Sequence, residues 1–294
     1  VPRLMAKPYD AYFKCINGRF ALPVTYLIAR IRRRPFVLWT EVWMRFRTRS
    51  HRLAYPLLQR IYRDADAIAA CGSHVRDHLV AEGVDPAKIV VARHAVDNAH
   101  YGREVAASEV AKLRAELGIA EGAPVVLYVG RFSIEKGPQY LIDAFARLVA
   151  GGRDMGAVLV MAGHGPMQAE LQESARRAGI AERVCWPGYV SRNAVVAYYA
   201  MGDVLAVPSI ELDWIKETWG LVVNEAFCQG LPVVASEMAG AAAGDLVRDG
   251  DTGRVVPERD PDALAAALGD ILSDADLRAG MSARCRTEIR GWTA

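Results

Sequence analysis

The sequence has no cysteine framework and no long apolar run. Five cysteines are scattered through 294 residues without a C-x-x-C pair, which argues against a zinc site and is typical of a reducing compartment. No stretch approaches the ~20 apolar residues of a transmembrane helix. Residues 1–30 also lack the order of charge, apolar core and small residues that marks a signal peptide. These absences predict a cytoplasmic protein.

Repeats and low-complexity segments are also missing, and charged residues make up 24% of the chain. A disordered chain would be richer in charge and poorer in apolar residues. The hydrophobic content of 52% is enough for one large core or, more naturally at this length, for two domains.

Charge is distributed unevenly along the chain. Residues 1–100 contain 17 Lys and Arg against 8 Asp and Glu, a net charge of +9, whereas the remainder carries −7. The positive charge is concentrated in residues 30–34 and 45–52. No nucleic-acid-binding module or aromatic stacking pattern surrounds these clusters, so nucleic acid is not expected as a partner. Two interpretations remain: peripheral contact with the anionic inner face of a membrane, or a solvated basic face beside an anionic substrate.

The segment from Lys216 to Ser236 contains two glutamates eight positions apart, Glu217 and Glu225. The pattern predicts a turn at Gly220, a helix over residues 221–230 and a buried strand over 231–235. The backbone amides near Leu221 and Val222 would then face an anion. Carboxylates near such a helix start suit a ligand that carries both phosphate and vicinal hydroxyls. The alternative is a solvated pair of glutamates beside an ordinary buried helix.

A second segment combines a strand, a glycine turn, two cations and a helix. The apolar run Val125–Val129 ends at Gly130, and Arg131 and Lys136 follow it before a helical pattern over 141–149. In open α/β sheets, ligands collect at the carboxyl ends of the strands. Arg131 and Lys136 could clamp a diphosphate there. The alternative is that Arg131 caps its own loop and Lys136 is solvated.

Strand and helix patterns alternate over the second half of the chain, which predicts a parallel, doubly wound α/β domain. A connecting stretch runs from about residue 97 to 122, with a helix over 107–117. The first hundred residues give fewer signals. The predicted strands are 35–39, 67–71, 88–92, 125–129, 157–162, 183–186, 204–207, 231–235 and 253–256, with a further helix over 73–82.

Together these motifs resemble the retaining glycosyltransferases of family 4, which have the GT-B fold. The similarity covers about residues 95 to 290, and its motifs occur in the order of the family. The glutamate pair with its following Gly-x-Pro-Val-Val-Ala is the most specific part. The matching residues are Gly130-Arg131, Lys136-Gly137, Gly163-His164-Gly165, Gly188 to Val190, Pro208-Ser209, Glu217 with Glu225, Gly230 to Ala235, and Gly240 to Val247.

The resemblance implies transfer of a sugar from a nucleoside-diphosphate sugar to a glycan, lipid-linked or small-molecule acceptor, with retention of the anomeric configuration. It implies that Arg131 and Lys136 stabilise the departing diphosphate, helped by amides near Leu221 and Val222. Glu217 would contact the donor sugar and Glu225 the ribose diol. No metal or other cofactor is expected. The remaining donor-binding candidates are Gly130, His164, Val190 and Gly220, although His164 could equally be an ordinary turn residue.

The resemblance weakens toward the N-terminus, where no Gly-rich strand–loop–helix precedes residue 100. The expected fold is therefore α/β of GT-B type, with two Rossmann-like doubly wound domains, an incomplete N-terminal one over 1–105 and a nucleotide-sugar-binding one over 106–294. Glu41 stands where many members of the family have a histidine and is the acceptor-side candidate. We expect weak nucleoside diphosphate binding with little transfer from such a chain. A nucleotide-sugar epimerase or a non-catalytic donor-binding remnant are the alternatives.

Overall fold

The computed structural model describes residues 5–7, 9–16, 18 and 20–293. The chain divides into two compact units. Unit 1 comprises Val1–His94 and Leu212–Trp219, and unit 2 comprises Ala95–Glu211 and Gly220–Ala294. The segment 212–219 thus belongs with the first unit although it lies late in the sequence. The domain ranges 1–105 and 106–294 stay a prediction.

Unit 1 is built on a parallel four-stranded sheet with the strand order β1-β2-β3-β4. Three helices of more than one turn connect and cover these strands. The strands are β1 Tyr12–Cys15, β2 Phe36–Thr40, β3 Ala67–Ala70 and β4 Ile89–Val91, and the helices are α1 Ala21–Ile31, α2 Arg49–Asp64 and α3 Ser73–Ala81.

The core of unit 1 follows from the alternation of side chains along β2. Phe36 and Leu38 are fully buried, whereas Val37 and Trp39 on the other face are half-buried. Successive side chains of a strand point to opposite faces of the sheet. Helix α2 contributes Ile61 to the same core. The sequence-based prediction missed β1, α1 and α2; in α2, Pro56 stands inside the helix and interrupts the helical signal of the sequence.

Part of the basic cluster in unit 1 is neutralised internally. Arg30 forms ion pairs with Asp64 and Asp66, and the Asp66 carboxylate also accepts a hydrogen bond from the Phe36 amide at 2.8 Å. Arg45 lies 2.6 Å from the buried carboxylate of Glu82. These two arginines and their carboxylate partners therefore have a structural role in unit 1. Across the described residues, no helix is both long and apolar enough to cross a bilayer.

Unit 2 contains a parallel six-stranded sheet with the strand order β10-β9-β8-β5-β6-β7. Helices pack against the strands in the alternation that the sequence predicts. The strands are β5 Val125–Val129, β6 Val158–Ala162, β7 Val184–Gly188, β8 Val204–Val207, β9 Val233–Ser236 and β10 Gly253–Val256. The helices are α4 Asn98–Tyr101, α5 Ala107–Glu116, α6 Pro138–Ala150, α7 Gln168–Arg177, α8 Val195–Met201, α9 Val222–Cys228, α10 Gly240–Ala243, α11 Pro261–Ser273 and α12 Ala275–Glu288.

The apolar runs of unit 2 were predicted well because strands buried on both faces are continuously apolar. The bounds of β5, β8 and β10 agree with the predicted bounds. Strand β9 begins two residues later than predicted and α9 is shorter at both ends. Both differences are of the size expected at element boundaries.

The direction of winding reverses at β5, which lies between β6 and β8. The loops that follow β5 and β8 meet at this switch point. Gly137 has a φ of +66°, and a Cβ there would lie 1.9 Å from the Pro208 carbonyl oxygen. The Ile210 amide donates to the Glu135 carbonyl at 2.9 Å. The two loops are thus joined backbone to backbone, and only glycine fits at residue 137.

Gly137→Ala is expected to lower the free energy of unfolding by about 2 kcal/mol or more, because it adds a backbone clash to an unfavourable φ. Gly122→Ala is the matched control: its φ is +76° with nothing within 4 Å of the new Cβ, so it carries only the conformational cost. Chemical denaturation of both variants checks this. Equal losses at the two positions would contradict the close approach of the loops.

Candidate functional site

A cavity of about 630 Å³ opens at the carboxyl ends of β5, β6 and β7. Four of the sequence-predicted site residues line it: Gly130, Arg131, His164 and Val190. The other lining residues are Val129, Ala162, Gly163, Gly165, Pro166 and Tyr189. The structure therefore brings together residues from three separate loops, as expected for ligand sites in open parallel sheets.

Glycines allow these loops to approach closely. Gly163 has a φ of +145°, and a Cβ on it would lie 1.9 Å from the Gly130 carbonyl oxygen. The Gly163 amide donates to the Gly188 carbonyl at 2.8 Å. The Phe132 amide donates to the His164 carbonyl at 3.0 Å. Part of the cavity wall is therefore backbone held in place by hydrogen bonds, and a ligand can approach it without meeting side chains.

Four residues that line this cavity are exposed: Arg131, His164, Pro166 and Tyr189. The carbonyl of Arg131 accepts a hydrogen bond from the Tyr128 hydroxyl at 2.8 Å, which ties down the backbone that carries the guanidinium. Tyr189 is 74% exposed, and its ring packs edge to face on that of His164, with 6.1 Å between the ring centres. The site thus offers a planar cation for an anion and an aromatic face for a flat group.

Lys136 does not line this cavity. It ends the single 3₁₀ turn Ile134–Lys136, directly before Gly137 at the junction of the β5 and β8 loops. The predicted cation pair is therefore carried by one loop, with Arg131 at its start beside the cavity and Lys136 at its end beside the switch point.

Glu225 lies on α9 and is half-buried. The Tyr199 hydroxyl donates to Glu225 Oε2 at 2.6 Å, and the Tyr101 hydroxyl is near enough to favour the charged carboxylate. Burial raises the pKa of Glu225 above its usual range, against the hydrogen bonds from the two tyrosines and the nearby positive charge of Arg192. The carboxylate is therefore placed by groups from three other parts of unit 2.

The partners of Glu225 form a network that the sequence did not predict. Arg192 pairs with Asp97 at 3.3 Å, and its carbonyl lies 3.1 Å from His100 Nε2. Tyr199 is 1% exposed and Tyr101 is 7% exposed. Tyr199 and Tyr101 lie 26 and 124 positions before Glu225, so no short sequence pattern links them to it. Folding alone brings them together.

Glu217 belongs to unit 1, whereas Glu225 belongs to unit 2. The Glu217 carbonyl accepts a hydrogen bond from Trp43 Nε1 at 3.0 Å, and Lys216 Nζ lies 3.4 Å from the centre of the Trp43 ring. His74 Nε2 lies 3.0 Å from the Thr218 carbonyl. These contacts explain why the segment 212–219 groups with the first unit.

The predicted turn lies where unit 2 resumes. Gly220 has a φ of +93°, and its carbonyl accepts a hydrogen bond from the Val223 amide at 2.9 Å. Leu221 is exposed, and α9 begins at Val222. The helix start that the sequence predicted for anion binding is therefore present in unit 2.

Glu41 follows β2 and faces His94 at 3.6 Å. The hydrogen bond from His94 lowers the pKa of the Glu41 carboxyl; burial opposes this and a contact with Thr218 adds to it. The His94 ring packs 6.1 Å from that of the buried Trp219. The sequence-based prediction named Glu41 but missed its partner His94.

Potential metal ligands are not clustered: the described part of the chain contains no group of three or more His, Cys, Asp or Glu side chains that could hold an ion. The acidic segment Asp274-Ala275-Asp276 has a local structural role. The Asp274 carboxylate accepts a hydrogen bond from the Leu277 amide at 2.8 Å and caps the first turn of α12.

Comparison with known families matches residues 109–288 to the family described as glycosyl transferases group 1. This range covers more than half of the chain and contains the cavity, both cations and Glu225. The chain belongs to this family.

Curated relatives include enzymes with different sugar donors and acceptors. The chain is 33% identical over 243 residues to the D-inositol 3-phosphate glycosyltransferase of Nocardia farcinica, which covers 80% of this chain and 51% of the relative. It is 30% identical over 220 residues to the alpha-D-kanosaminyltransferase of Streptomyces kanamyceticus, and the match covers 75% of this chain and 54% of the relative. It is 32% identical over 233 residues to the GDP-mannose-dependent alpha-(1-6)-phosphatidylinositol monomannoside mannosyltransferase of Mycolicibacterium smegmatis. That match covers 78% of this chain and 59% of the relative. The chain spans about half the length of these relatives.

Solved structures confirm the fold class. The Anabaena HepE protein in complex with UDP superposes with a TM-score of 0.81 at 24% identity, over 97% of this chain and 74% of that one. The sucrose-phosphate synthase of Thermosynechococcus elongatus gives a TM-score of 0.75 at 22% identity, over 97% of this chain and 69% of that one. The predicted GT-B type of α/β fold is therefore correct.

Proposed function

We propose that this chain binds a nucleoside-diphosphate sugar in unit 2 and serves transfer of its sugar with retention of configuration. The observation that carries the proposal is the cavity at the carboxyl edge of the six-stranded sheet, with Arg131 on its wall. A GT-B glycosyltransferase needs a diphosphate site, and this edge is the standard location for one in a doubly wound sheet.

The diphosphate is assigned to the loop that follows β5. Arg131 offers a planar fork and Lys136 a point charge, and both cations complement phosphate oxygens. Negative charge develops on the diphosphate as the bond to the sugar breaks. Cations held on a fixed loop stabilise this charge without reorganisation. The amides near Leu221 and Val222 at the start of α9 assist them.

The nucleoside is assigned to Glu225 and to the loop that follows β7. A carboxylate can accept two hydrogen bonds from a ribose diol, and the exposed ring of Tyr189 can stack on a base. The backbone near Val190 is the base-recognition element. Anabaena HepE is seen in complex with UDP, and the Mycolicibacterium smegmatis relative is GDP-mannose-dependent, so both uracil and guanine are candidate bases.

Glu217 takes the role that the family resemblance implies, a contact with hydroxyls of the donor sugar, and Glu41 is assigned to the acceptor. No enzymic nucleophile is invoked: the acceptor attacks on the face from which the diphosphate leaves. The named relatives are transferases, which favours transfer over epimerisation.

Arg131→Ala and Lys136→Ala are expected to weaken UDP or GDP binding by about tenfold or more, because each removes a charge-assisted contact to phosphate. Binding of uridine or guanosine should hardly change. Calorimetric titration of both ligand classes against each variant checks this, with Arg177→Ala on the exposed surface of α7 as the control. Equal losses for nucleoside and diphosphate would show that the cations do not serve the phosphates. EDTA should leave the affinities unchanged, because protein cations supply the positive charge.

Glu225→Gln keeps the shape of the side chain but removes its charge. Affinity for UDP or GDP should fall by about tenfold or more, since hydrogen bonds to a charged group contribute roughly 1.5–3 kcal/mol. The unfolding temperature should change little, because glutamine still accepts from the two tyrosines. Unchanged affinity for both nucleotides would remove Glu225 from the site.

Peripheral contact with an anionic bilayer is a second proposal, and unit 1 carries it. Leu27 and Ile31 on one face of α1 are apolar yet exposed, at 56% and 60%, and so is Phe20 directly before the helix, at 82%. Arg33 and Arg34 are exposed just beyond its end. An apolar helix face beside arginines suits the interface of an anionic membrane.

Leu27→Ser combined with Ile31→Ser should reduce co-sedimentation with phosphatidylserine-containing vesicles severalfold, because it removes apolar area from the contact. Val90→Ser, which alters another exposed apolar side chain of unit 1 (62% exposed), is the control and should bind normally. Equal binding to vesicles with and without anionic lipid would contradict the proposal.

A further inference from the structure

Two buried tyrosines hold the Glu225 carboxylate. We propose that Tyr199 and Tyr101 are positioning residues for nucleoside recognition, because their hydroxyls orient Glu225 toward the ligand. This inference rests on the proposed function of unit 2 and adds to it the groups that set the direction and the charge of the ribose-binding side chain.

The geometry supports positioning by both tyrosines. Tyr199 is on α8 and its ring is 1% exposed, so its hydroxyl cannot turn away from Glu225 Oε2 at 2.6 Å. Tyr101 is on α4, and its backbone carbonyl accepts a hydrogen bond from Gln229 Nε2, which anchors α4 to the end of α9. The Tyr199 hydroxyl is therefore held on Glu225, and Tyr101 is kept close to it by an anchored helix.

The hydrogen-bonding capacity of the carboxylate leaves room for a diol. An ionised carboxylate has about four acceptor sites, and the Tyr199 hydroxyl uses one of them. Glu225 is only half-buried, so its remaining lone pairs can face a ligand. A carboxylate fixed in this way loses little side-chain entropy when a diol binds.

The charge of Glu225 depends on the same contacts. Burial raises its pKa, and the hydrogen bond from Tyr199 is the largest opposing effect, followed by that from Tyr101. The other groups facing it from the packed elements are Arg192 before α8 and His100 on α4. Asp97 is bound by Arg192, and Cys228 is on α9 itself. From α12, Arg286 packs against Gly230 beyond the end of α9. Loss of the Tyr199 hydroxyl should therefore raise the pKa of Glu225 further.

A purely structural role for Tyr199 would have a different signature. If the ring only filled the core, Tyr199→Phe would change the unfolding temperature without moving the pH dependence of binding. If the hydroxyl positions Glu225, binding must weaken as the pH falls through the pKa of Glu225, and the midpoint must move to higher pH in the variant.

The experiment measures UDP and GDP affinity between pH 4.5 and 8 for wild type, Tyr199→Phe, Tyr101→Phe and Glu225→Gln. Tyr198→Phe is the control, because Tyr198 is 8% exposed and its pKa is raised by burial, then by Glu116 and Cys185, with no contribution from Glu225. Tyr199→Phe should weaken binding about threefold or more at pH 7.5 and raise the acid midpoint. Tyr101→Phe should do the same to a smaller extent. Tyr198→Phe should match wild type, and Glu225→Gln should remove this midpoint.

Titration of the Glu225 carboxyl by ¹³C NMR in the ligand-free protein supplies a second readout, with the midpoint again higher in Tyr199→Phe. Wild-type affinities and midpoints in both tyrosine variants would overturn this inference and leave the proposed function standing. A wild-type protein that binds no nucleoside diphosphate would overturn the proposed function, and the inference with it. A uniform loss of affinity at all pH values with an unmoved midpoint would assign the tyrosines to the core alone.

Discussion

Backbone segments approach each other closely at the carboxyl edge of the six-stranded sheet. This close approach constrains which side chains fit there and how the loops of unit 2 are placed. At Gly137 and Gly163 the space for a Cβ is already occupied by a carbonyl oxygen, 1.9 Å away in both cases. Side chains are therefore excluded where the loops meet, and the loops cannot move apart without breaking backbone hydrogen bonds. Arg131 and Lys136 acquire fixed positions because they lie on a loop held in this way. Preorganised charge of this kind is the main means by which an enzyme stabilises a leaving diphosphate.

The environment of Glu225 balances two opposing effects. Burial favours its neutral form, while two tyrosine hydroxyls, Arg192 and His100 favour the carboxylate. A more exposed glutamate would need no such donors, but it would also be free to rotate. The network therefore keeps a charged acceptor ordered in a partly desolvated place, where a hydrogen bond to a hydroxyl is stronger than in water.

The segment that contains the glutamate pair is divided by its contacts. Trp219 is 1% exposed, and its ring packs against His74 and His94 of unit 1. From Gly220 onward the chain belongs to unit 2. A motif that is continuous in sequence is thus distributed over both units, with one glutamate in each. Glu41 and its partner His94 belong to the same unit as Glu217.

The sequence by itself determined the doubly wound half of the protein and predicted the residues that we propose for its main site. Apolar runs such as Val125–Val129 predict buried parallel strands whatever the rest of the chain does, and Gly130 and Arg131 follow at the end where ligands bind. Only the tertiary structure decided that Tyr199 and Tyr101 hold Glu225, that Lys136 lies apart from the cavity, and that residues 212–219 join unit 1. Periodicity reports which face of an element is buried, but it contains no information about which distant side chains meet there. Those pairings depend on strand order and loop packing, and they form only when the whole sheet assembles.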